Sequence, residues 1–319
     1  MIYLNEKDIM KASELAQVMD AVEKAYAIDI SGEYEMPPRV HVKNGVNTIL
    51  YMPCFTKSIF GTKILTLFPG NANKRKPVID GLVLLNDPET GETLALLDGA
   101  KLTAVRTGAV GGVAIRHITP DNANSVGLIG AGVQGFHQIL FACEARNIEK
   151  VHLYDLSKNR LSELAKKLEK SLPTVTIEVS ASVEKLLTAS EIVITATPSN
   201  VPVLPDDEEL LRGKHYIGIG SYQPEMREFP RALYRLVDEV FIDTEHGLEE
   251  SGDLITPLQN KWIGHNQIIK LGEIIGSNNS VKSGKTTLFK SVGMALFDIT
   301  VSELIYRGAL KKKIGTVLD

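Results

Sequence analysis

A glycine-rich turn between an apolar strand and a helix constrains this 319-residue chain more than any other feature. The turn reads Gly130-Ala131-Gly132-Val133-Gln134-Gly135 and follows the apolar run Val126–Ile129. In this pattern the first glycine permits a tight exit from the strand. The second admits a pyrophosphate against the backbone, and the third lets the helix pack closely on the sheet. Because free N–H groups at a helix start attract an anion, the turn predicts a dinucleotide-binding domain.

An acidic residue downstream of the turn indicates which dinucleotide is bound. Asp155 directly follows a second apolar run, Val151–Tyr154. An acid in this place accepts hydrogen bonds from the ribose hydroxyls, and its charge repels a 2′-phosphate. NAD is therefore the expected cofactor, although Lys158 and Arg160 follow closely and leave NADP open.

The composition favours a soluble globular protein and excludes several classes. The chain is 44% hydrophobic and 23% charged, and its net charge of −4 favours neither nucleic acid nor an anionic membrane as a partner. No apolar run has the length of a membrane span, and no signal peptide is recognised, so a cytoplasmic location is expected. Cys54 and Cys143 form no C-x-x-C pair and the histidines are scattered, so neither a disulfide nor a metal site is expected.

Apolar periodicity divides the chain into two patterns. The first 120 residues predict an amphipathic helix, a meander of strands and a helix of small residues, which is typical of an α+β fold. A C-terminal helix is expected over Leu288–Tyr306. The middle of the chain alternates apolar runs with helices and predicts a doubly wound parallel sheet of the Rossmann type, an α/β fold. Its expected strands are Val126–Ile129, Val151–Tyr154, Val175–Val179, Ile192–Ala196, His215–Ile219 and Val240–Ile242.

Seven segments in a fixed order carry a resemblance to a known family. They are Met36-Pro37-Pro38-Arg39, Tyr51-Met52-Pro53, Gly61-Thr62-Lys63, Asp87–Glu92, Leu102–Thr107, Gly130–Gly135 and Leu288–Gly293. In this order and over nearly the whole chain, they resemble the ornithine cyclodeaminase/μ-crystallin family.

The resemblance implies a fold and a chemistry. It implies an NAD-binding Rossmann domain over residues 120–288, inserted into a discontinuous substrate-binding and dimerisation domain formed by residues 1–119 and 289–319. A homodimer is the implied assembly. Family members use NAD(P) to oxidise an amino acid at Cα or to reduce the corresponding imine, and some then close a ring with loss of ammonia.

The resemblance also implies the site residues. It assigns Arg39, Lys63 and Arg106 to the substrate carboxylate, which suits cations that donate hydrogen bonds to an anion. We expect the pKa of Lys63 to be lowered among apolar neighbours and other cations, so that it can also move a proton. The remaining expected cofactor contacts, outside the glycine turn and Asp155, are Thr197, Gly220, Ser291 and Val292.

Two carboxylates with which cyclodeaminases of this family hold the side-chain amine of ornithine are absent. Leu50 and Ser221 stand at their positions. Ser221 is either a strand-end cap or a catalytic contact, and Glu225 or Glu228 is a candidate replacement acid. An ammonium group without a carboxylate partner is poorly held in a dry pocket. Alanine or a cyclic imino acid such as pyrroline- or piperideine-2-carboxylate therefore fits better than ornithine.

Three functions stay open on the sequence alone. The first is an NAD-dependent oxidoreductase acting on the Cα–N bond of a small amino acid or cyclic imino acid. The second is an ornithine cyclodeaminase that uses NAD catalytically. The third is a non-catalytic protein that binds small hydrophobic acids, as a μ-crystallin-like protein would.

Overall fold

The computed structural model describes residues 1–74, 76–275 and 284–318. The chain forms two compact units. One unit, here called the terminal domain, consists of Met1–Arg106 and Met294–Asp319. The other, here called the central domain, is Thr107–Gly293.

The described residues form sixteen strands and twelve α-helices. The strands are β1 (Ile2–Leu4), β2 (Tyr34–Glu35), β3 (Val40–Asn44), β4 (Asn47–Thr56), β5 (Phe60–Leu67), β6 (Ile79–Asn86), β7 (Thr93–Asp98), β8 (Ser125–Ile129), β9 (Lys150–Tyr154), β10 (Thr176–Val179), β11 (Ile192–Thr195), β12 (His215–Gly218), β13 (Val240–Ile242), β14 (Ile268–Lys270), β15 (Thr287–Lys290) and β16 (Thr316–Val317). The helices are α1 (Glu6–Ala12), α2 (Leu15–Ser31), α3 (Gly99–Ile118), α4 (Val133–Ala145), α5 (Lys158–Ser171), α6 (Val183–Ala189), α7 (Glu208–Leu211), α8 (Arg231–Tyr234), α9 (Gly247–Glu250), α10 (Gly252–Gln259), α11 (Leu271–Ile274) and α12 (Ala295–Lys312).

The terminal domain is built on a mixed sheet. Its strand order is β16-β1-β7-β6-β5-β4-β2, and β3 pairs with β4. The run from β4 to β7 is antiparallel, which confirms the predicted meander. Helix α12 packs on α2 and on one face of β4, β5 and β6. A Cβ built on Gly61 would lie 3.1 Å from the Ile299 side chain, so this face of β5 directs alternate residues, including Lys63, toward the helix.

The central domain is a parallel sheet in the order β10-β9-β8-β11-β12-β15-β13-β14. Every residue of β8, β11, β12 and β15 is buried, as expected for strands covered on both faces. The strand order reverses at β8, which pairs with β9 on one side and β11 on the other. In doubly wound sheets a ligand crevice forms at the carboxyl ends of such strands. The predicted α/β fold class is confirmed.

One predicted helix was wrong in its first part. Residues Leu288–Lys290 belong to the strand β15, and the helix begins only at Ala295. Leu288 pairs with Tyr216 on one side and Val240 on the other, so it lies inside the sheet. A strand buried on both faces is continuously apolar and cannot be told from a buried helix by periodicity.

The division between the domains differs from the predicted boundaries after residues 119 and 288. It falls after Arg106 and after Gly293. Helix α3 runs unbroken across the first division, so no loop marks it in the sequence. The second division follows β15 because that strand pairs within the central sheet.

None of the helices in the described ranges combines the length and the apolarity that a membrane crossing requires.

Candidate functional site

The glycine turn joins β8 to α4 in a conformation that leaves room for an anion. Gly130 has a φ of +112°, and a Cβ on it would lie 2.5 Å from the Ala196 carbonyl oxygen. A Cβ on Gly135 would lie 2.3 Å from the Gly130 carbonyl oxygen, so this glycine lets the helix approach the strand. A Cβ on Gly132 would meet no protein atom within 4 Å. Packing therefore does not require a glycine at that position, whereas a pyrophosphate approaching the helix does.

Asp155 lies beside this turn. One of its carboxylate oxygens accepts a hydrogen bond from the Ala131 N–H at 2.7 Å. The other accepts from the Ser157 N–H at 2.7 Å and faces the Arg160 guanidinium at 3.3 Å. A cavity of about 510 Å³ is lined by Gly130, Gly132, Asp155 and Thr197 among others. The glycine turn, the acid and the expected threonine thus share one cavity, and these residues fit NAD.

The other expected cofactor residues lie at the ends of neighbouring strands. Gly220 follows β12, and a Cβ on it would lie 2.1 Å from the Thr197 carbonyl oxygen. Ser291 and Val292 follow β15, where the Asp243 carboxylate accepts hydrogen bonds from the Ser291 hydroxyl at 2.6 Å and from the Val292 N–H at 3.1 Å. Burial raises the pKa of Asp243, and these hydrogen bonds oppose that effect.

The other two expected cofactor residues of the turn, Val133 and Gln134, differ in how far their side chains are enclosed. Val133 is 71% exposed at the start of α4. The side-chain oxygen of Gln134 is enclosed and, within the part of the chain that the structure describes, has no hydrogen-bond partner.

The structure favours the strand-end role for Ser221. Its side chain is completely buried, and its hydroxyl donates to the Met226 carbonyl at 2.6 Å and lies 2.8 Å from the Ser251 hydroxyl. Both candidate replacement acids are also accounted for. Glu225 is exposed, and Glu228 is completely buried in hydrogen bonds to the backbone and to threonine hydroxyls.

A second cluster of functional groups lies in the terminal domain. Lys63 on β5 and Arg106 on α3 both contact the carboxylate of Asp298, which lies in the first turn of α12. The Lys63 ammonium is 2.6 Å from one Asp298 oxygen, and Arg106 Nε is 2.8 Å from the other. Lys63 and Asp298 are almost completely buried and Arg106 nearly so. The structure thus brings two of the three expected cations onto one carboxylate.

Arg39, the third expected cation, lies close enough to affect Lys63 electrostatically. The pKa of Lys63 is lowered to about 8; burial is the largest cause, the charges of Arg106 and Arg39 act in the same direction, and Asp298 opposes them. Apolar neighbours contribute to this burial, because Met52 and Val83 pair with Lys63 on the two flanking strands. Two cations contact a single carboxylate, so these three side chains together carry excess positive charge that suits an anionic ligand.

Sequence reasoning missed Asp298. Its carboxylate is held by Arg106 and Lys63, and those two charges lower its pKa against the effect of burial. One signal for it exists in the sequence, since Asp298 interrupts the apolar run Leu296–Val301. An acid in a buried helix face requires a partner.

Comparison with known proteins identifies the family of the chain. A family model described as "Ornithine cyclodeaminase/mu-crystallin family" matches residues 1–313. A Delta(1)-pyrroline-2-carboxylate reductase from Bacillus cereus is 34% identical over 284 residues, which is 86% of this chain and 86% of that protein. The resemblance predicted from the ordered motifs is confirmed.

Two solved structures share the fold over the full chain. The Delta(1)-pyrroline-2-carboxylate reductase of Thermococcus litoralis, in complex with NADH and L-proline, superposes with a TM-score of 0.92 at 32% identity and full coverage of both chains. An archaeal alanine dehydrogenase dimer with bound NAD gives a TM-score of 0.90 at 27% identity, over 100% of this chain and 99% of that one.

The contrast between two glycines tests the phosphate site. We expect Gly132→Ala to leave the melting temperature unchanged, since its Cβ has free space and its φ of −89° suits alanine. The same methyl group should raise the dissociation constant of NADH about tenfold or more, because it occupies the approach to the helix N-terminus. Gly135→Ala should instead destabilise the fold by about 1–3 kcal/mol through overpacking. Titration of NADH fluorescence and thermal unfolding measure the two effects. Wild-type NADH affinity in Gly132→Ala would show that the phosphates bind elsewhere.

Proposed function

The chain belongs to the ornithine cyclodeaminase/mu-crystallin family, and from this premise we propose that it reduces a small cyclic imino acid, of the pyrroline- or piperideine-2-carboxylate type, with NADH. It is an NAD-dependent oxidoreductase acting on a Cα–N bond. The observation that carries the choice of substrate is the buried cluster of Lys63, Arg106 and Asp298, with Arg39 nearby. The relatives are named for the reduction of such an imine or for the oxidation of alanine. Both reactions change the same bond, Cα–N.

The proposed reaction balances as an imine, NADH and a proton giving a cyclic amino acid and NAD⁺. When bound, NADH supplies the hydride that adds to the imine carbon. Gly130, Gly132 and Asp155 would hold the cofactor by its phosphates and ribose. The protein's remaining tasks are to orient the substrate and to manage the proton on nitrogen.

Arg106 and Arg39 are proposed to bind the substrate carboxylate, together with Lys63. Asp298 engages Nε of Arg106, and the terminal nitrogens of the guanidinium are the proposed donors to the substrate carboxylate. A carboxylate fixed in this way has a defined orientation, and a misplacement of about 1 Å can reduce a rate by roughly 10²-fold.

Lys63 is the proposed proton carrier. With a pKa of about 8 it exists in both protonation states near neutral pH. A group with such a pKa is efficient in general acid–base catalysis. Asp298 keeps the ammonium in place at 2.6 Å and is proposed as its positioning partner.

The cyclodeaminase alternative loses support from the positions of the acids. Ornithine carries a second ammonium group that needs a carboxylate partner in a dry pocket. Ser221 and Leu50 are not acids, and Glu228 is enclosed by its own hydrogen bonds. The remaining candidate, Glu225, is exposed.

We propose a homodimer formed by the terminal domain. The face of the sheet opposite Lys63 exposes five apolar side chains that the strand register places together, namely Val40, Val42, Tyr51, Phe55 and Leu82. Their exposed fractions lie between 39% and 52%. A contiguous apolar face of this kind marks an interaction site, and a second copy of the chain is its proposed occupant. The related archaeal alanine dehydrogenase is a dimer.

A cytoplasmic location remains part of the proposal. It is supported by Cys54 and Cys143, which are both free thiols.

A substrate panel tests the reaction. We expect oxidation of NADH, followed by its absorbance, with pyrroline-2-carboxylate or piperideine-2-carboxylate, and weaker or no oxidation with pyruvate plus ammonia. Ornithine with NAD⁺ should give no proline. Lys63→Met should lose about 10²-fold or more in kcat/KM while it still binds NADH, since general acid–base catalysis contributes about that much. The proposal fails if no imino acid is reduced, and proline formation from ornithine would favour the cyclodeaminase instead.

The alkaline limb of the pH profile reports on Lys63. For imine reduction we expect kcat/KM to fall as the pH rises through about 8, where Lys63 loses its proton. Asp298→Asn removes the charge that raises this pKa, so the limb should move to lower pH. The ionisation of the substrate cancels, because both enzymes use the same imine.

Glu303→Gln is the matched control for that shift. Glu303 is a buried acid on the same helix, paired with Arg307 and Lys24, and it is not among the groups that shift the pKa of Lys63 most. Its limb should coincide with that of the wild type. A limb in Asp298→Asn that stays in place or moves to higher pH would refute the assignment to Lys63.

A charge introduced into the apolar face tests the dimer. Leu82→Lys should convert the dimer to a monomer in light scattering after size exclusion, because a lysine ammonium is costly to bury in an apolar interface. Val179→Lys is the matched control, since Val179 is 57% exposed in the central domain. A wild-type protein that is monomeric at all concentrations measured would contradict the proposed assembly.

A further inference from the structure

Glu228 is the most fully hydrogen-bonded carboxylate at the carboxyl edge of the central sheet among the described residues. It is completely buried. One oxygen accepts hydrogen bonds from the Thr197 N–H at 2.7 Å and from the Thr197 hydroxyl at 2.8 Å. The other accepts from the Gly220 N–H at 2.8 Å and from the Thr195 hydroxyl at 3.0 Å. Two of the four partners are backbone N–H groups, one at each oxygen, and a backbone N–H can only donate.

One of these donor residues, Thr197, belongs to the wall of the cofactor cavity, and the other two lie at the ends of the strands beside it. Thr195 ends β11, and Thr197 follows it and lines the cavity with Gly130 and Asp155. Gly220 comes just after the end of β12, the next strand of the sheet. Glu228 therefore joins the loops that follow two adjacent strands, at the edge where the dinucleotide binds.

The two loops are in close van der Waals contact. A Cβ on Gly220 would lie 2.3 Å from Thr197 N and 2.6 Å from a Glu228 oxygen. A Cβ on Gly130 would lie 3.1 Å from the Thr197 side chain. A change in the position of Thr197 would therefore be transmitted to the glycine turn itself.

The negative charge of Glu228 is compensated inside the domain. Lys290 on β15 is almost completely buried and interacts electrostatically with Glu228, Asp253 and Asp243. Its ammonium donates to the Gly218 carbonyl at 3.2 Å, at the end of β12. A buried carboxylate is tolerated when it is hydrogen-bonded and lies near a cation.

We propose that Glu228 is a positioning residue for the NAD site, holding Thr197 and Gly220 at the separation that the cofactor requires. It acts through these two residues and touches neither cofactor nor substrate. The inference rests on the cofactor half of the proposed function and is independent of which imino acid is reduced.

Glu228→Gln tests this role with a minimal change of shape. A glutamine side chain has one acceptor oxygen, and its NH₂ group would face one of the backbone N–H donors, so it cannot hold both loops. We expect the KM and the dissociation constant of NADH to rise about tenfold, with the KM of the imino acid unchanged. A purely structural role would reduce the amount of folded enzyme and would leave both KM values as in the wild type.

Asp253→Asn is the matched control. Asp253 is equally buried and also interacts with Lys290, but its carboxylate accepts from the Glu228 and Phe229 N–H groups and does not bond to a residue of the cavity wall. It should lower the melting temperature while it keeps the NADH dissociation constant within about twofold of the wild type.

Thr195→Val decides the question if Glu228→Gln does not fold. The substitution keeps the shape of a completely buried side chain and removes one of the four donors to Glu228. It should raise the NADH dissociation constant about threefold, measured by NADH fluorescence. Unchanged NADH affinity in whichever of the two variants folds overturns the proposal. A wild-type protein that binds no NADH would instead refute the cofactor assignment.

Discussion

The terminal domain depends on one buried ion cluster, in which Asp298 neutralises part of the charge of Lys63 and Arg106. Removing two cations from water is costly, and a carboxylate at hydrogen-bond distance from both offsets that cost. The three side chains come from β5, α3 and α12, so the cluster also fixes these elements relative to one another. Because the two cations outnumber the carboxylate, the cluster keeps a net positive charge, which suits the anion site proposed for it.

In the central domain, buried carboxylates serve as acceptors for backbone N–H groups. Glu228 and Asp243 each accept hydrogen bonds from backbone N–H groups in loops that follow parallel strands. Those loops are irregular, so their N–H groups are not satisfied by the sheet. A carboxylate beside a single lysine, Lys290, satisfies them in a way that a neutral side chain does not. The two domains thus differ in what they could offer a ligand. The terminal domain has excess positive charge, and the central domain has backbone groups held in fixed positions.

The sequence predicted those features whose signal is local. The glycine turn, Asp155 and the alternation of strands with helices lie within short windows, and the fold class followed from them. Asp298 was missed because its hydrogen bond to Arg106 spans 192 residues of chain. The sequence presents Glu228 only as a candidate replacement acid, because nothing in its neighbourhood indicates that the ends of two strands converge on it. The start of the C-terminal helix was misplaced at β15 since burial on both faces removes the periodic signal.

Charge alone explains much of the expected substrate selectivity. A substrate with one carboxylate and an imine nitrogen needs a single anion site and a proton carrier, and Arg106, Arg39 and Lys63 are the residues proposed for these roles. A second ammonium group on the substrate would face a cluster that already has excess positive charge. Asp298 does not relieve that repulsion, because both of its oxygens are engaged by the protein's own cations. The apolar neighbours Met52 and Val83, which lie opposite Lys63, strengthen every electrostatic interaction at this place by excluding water. If the proposed site binds the substrate, the same desolvation that lowers the pKa of Lys63 would also increase discrimination against a dibasic substrate.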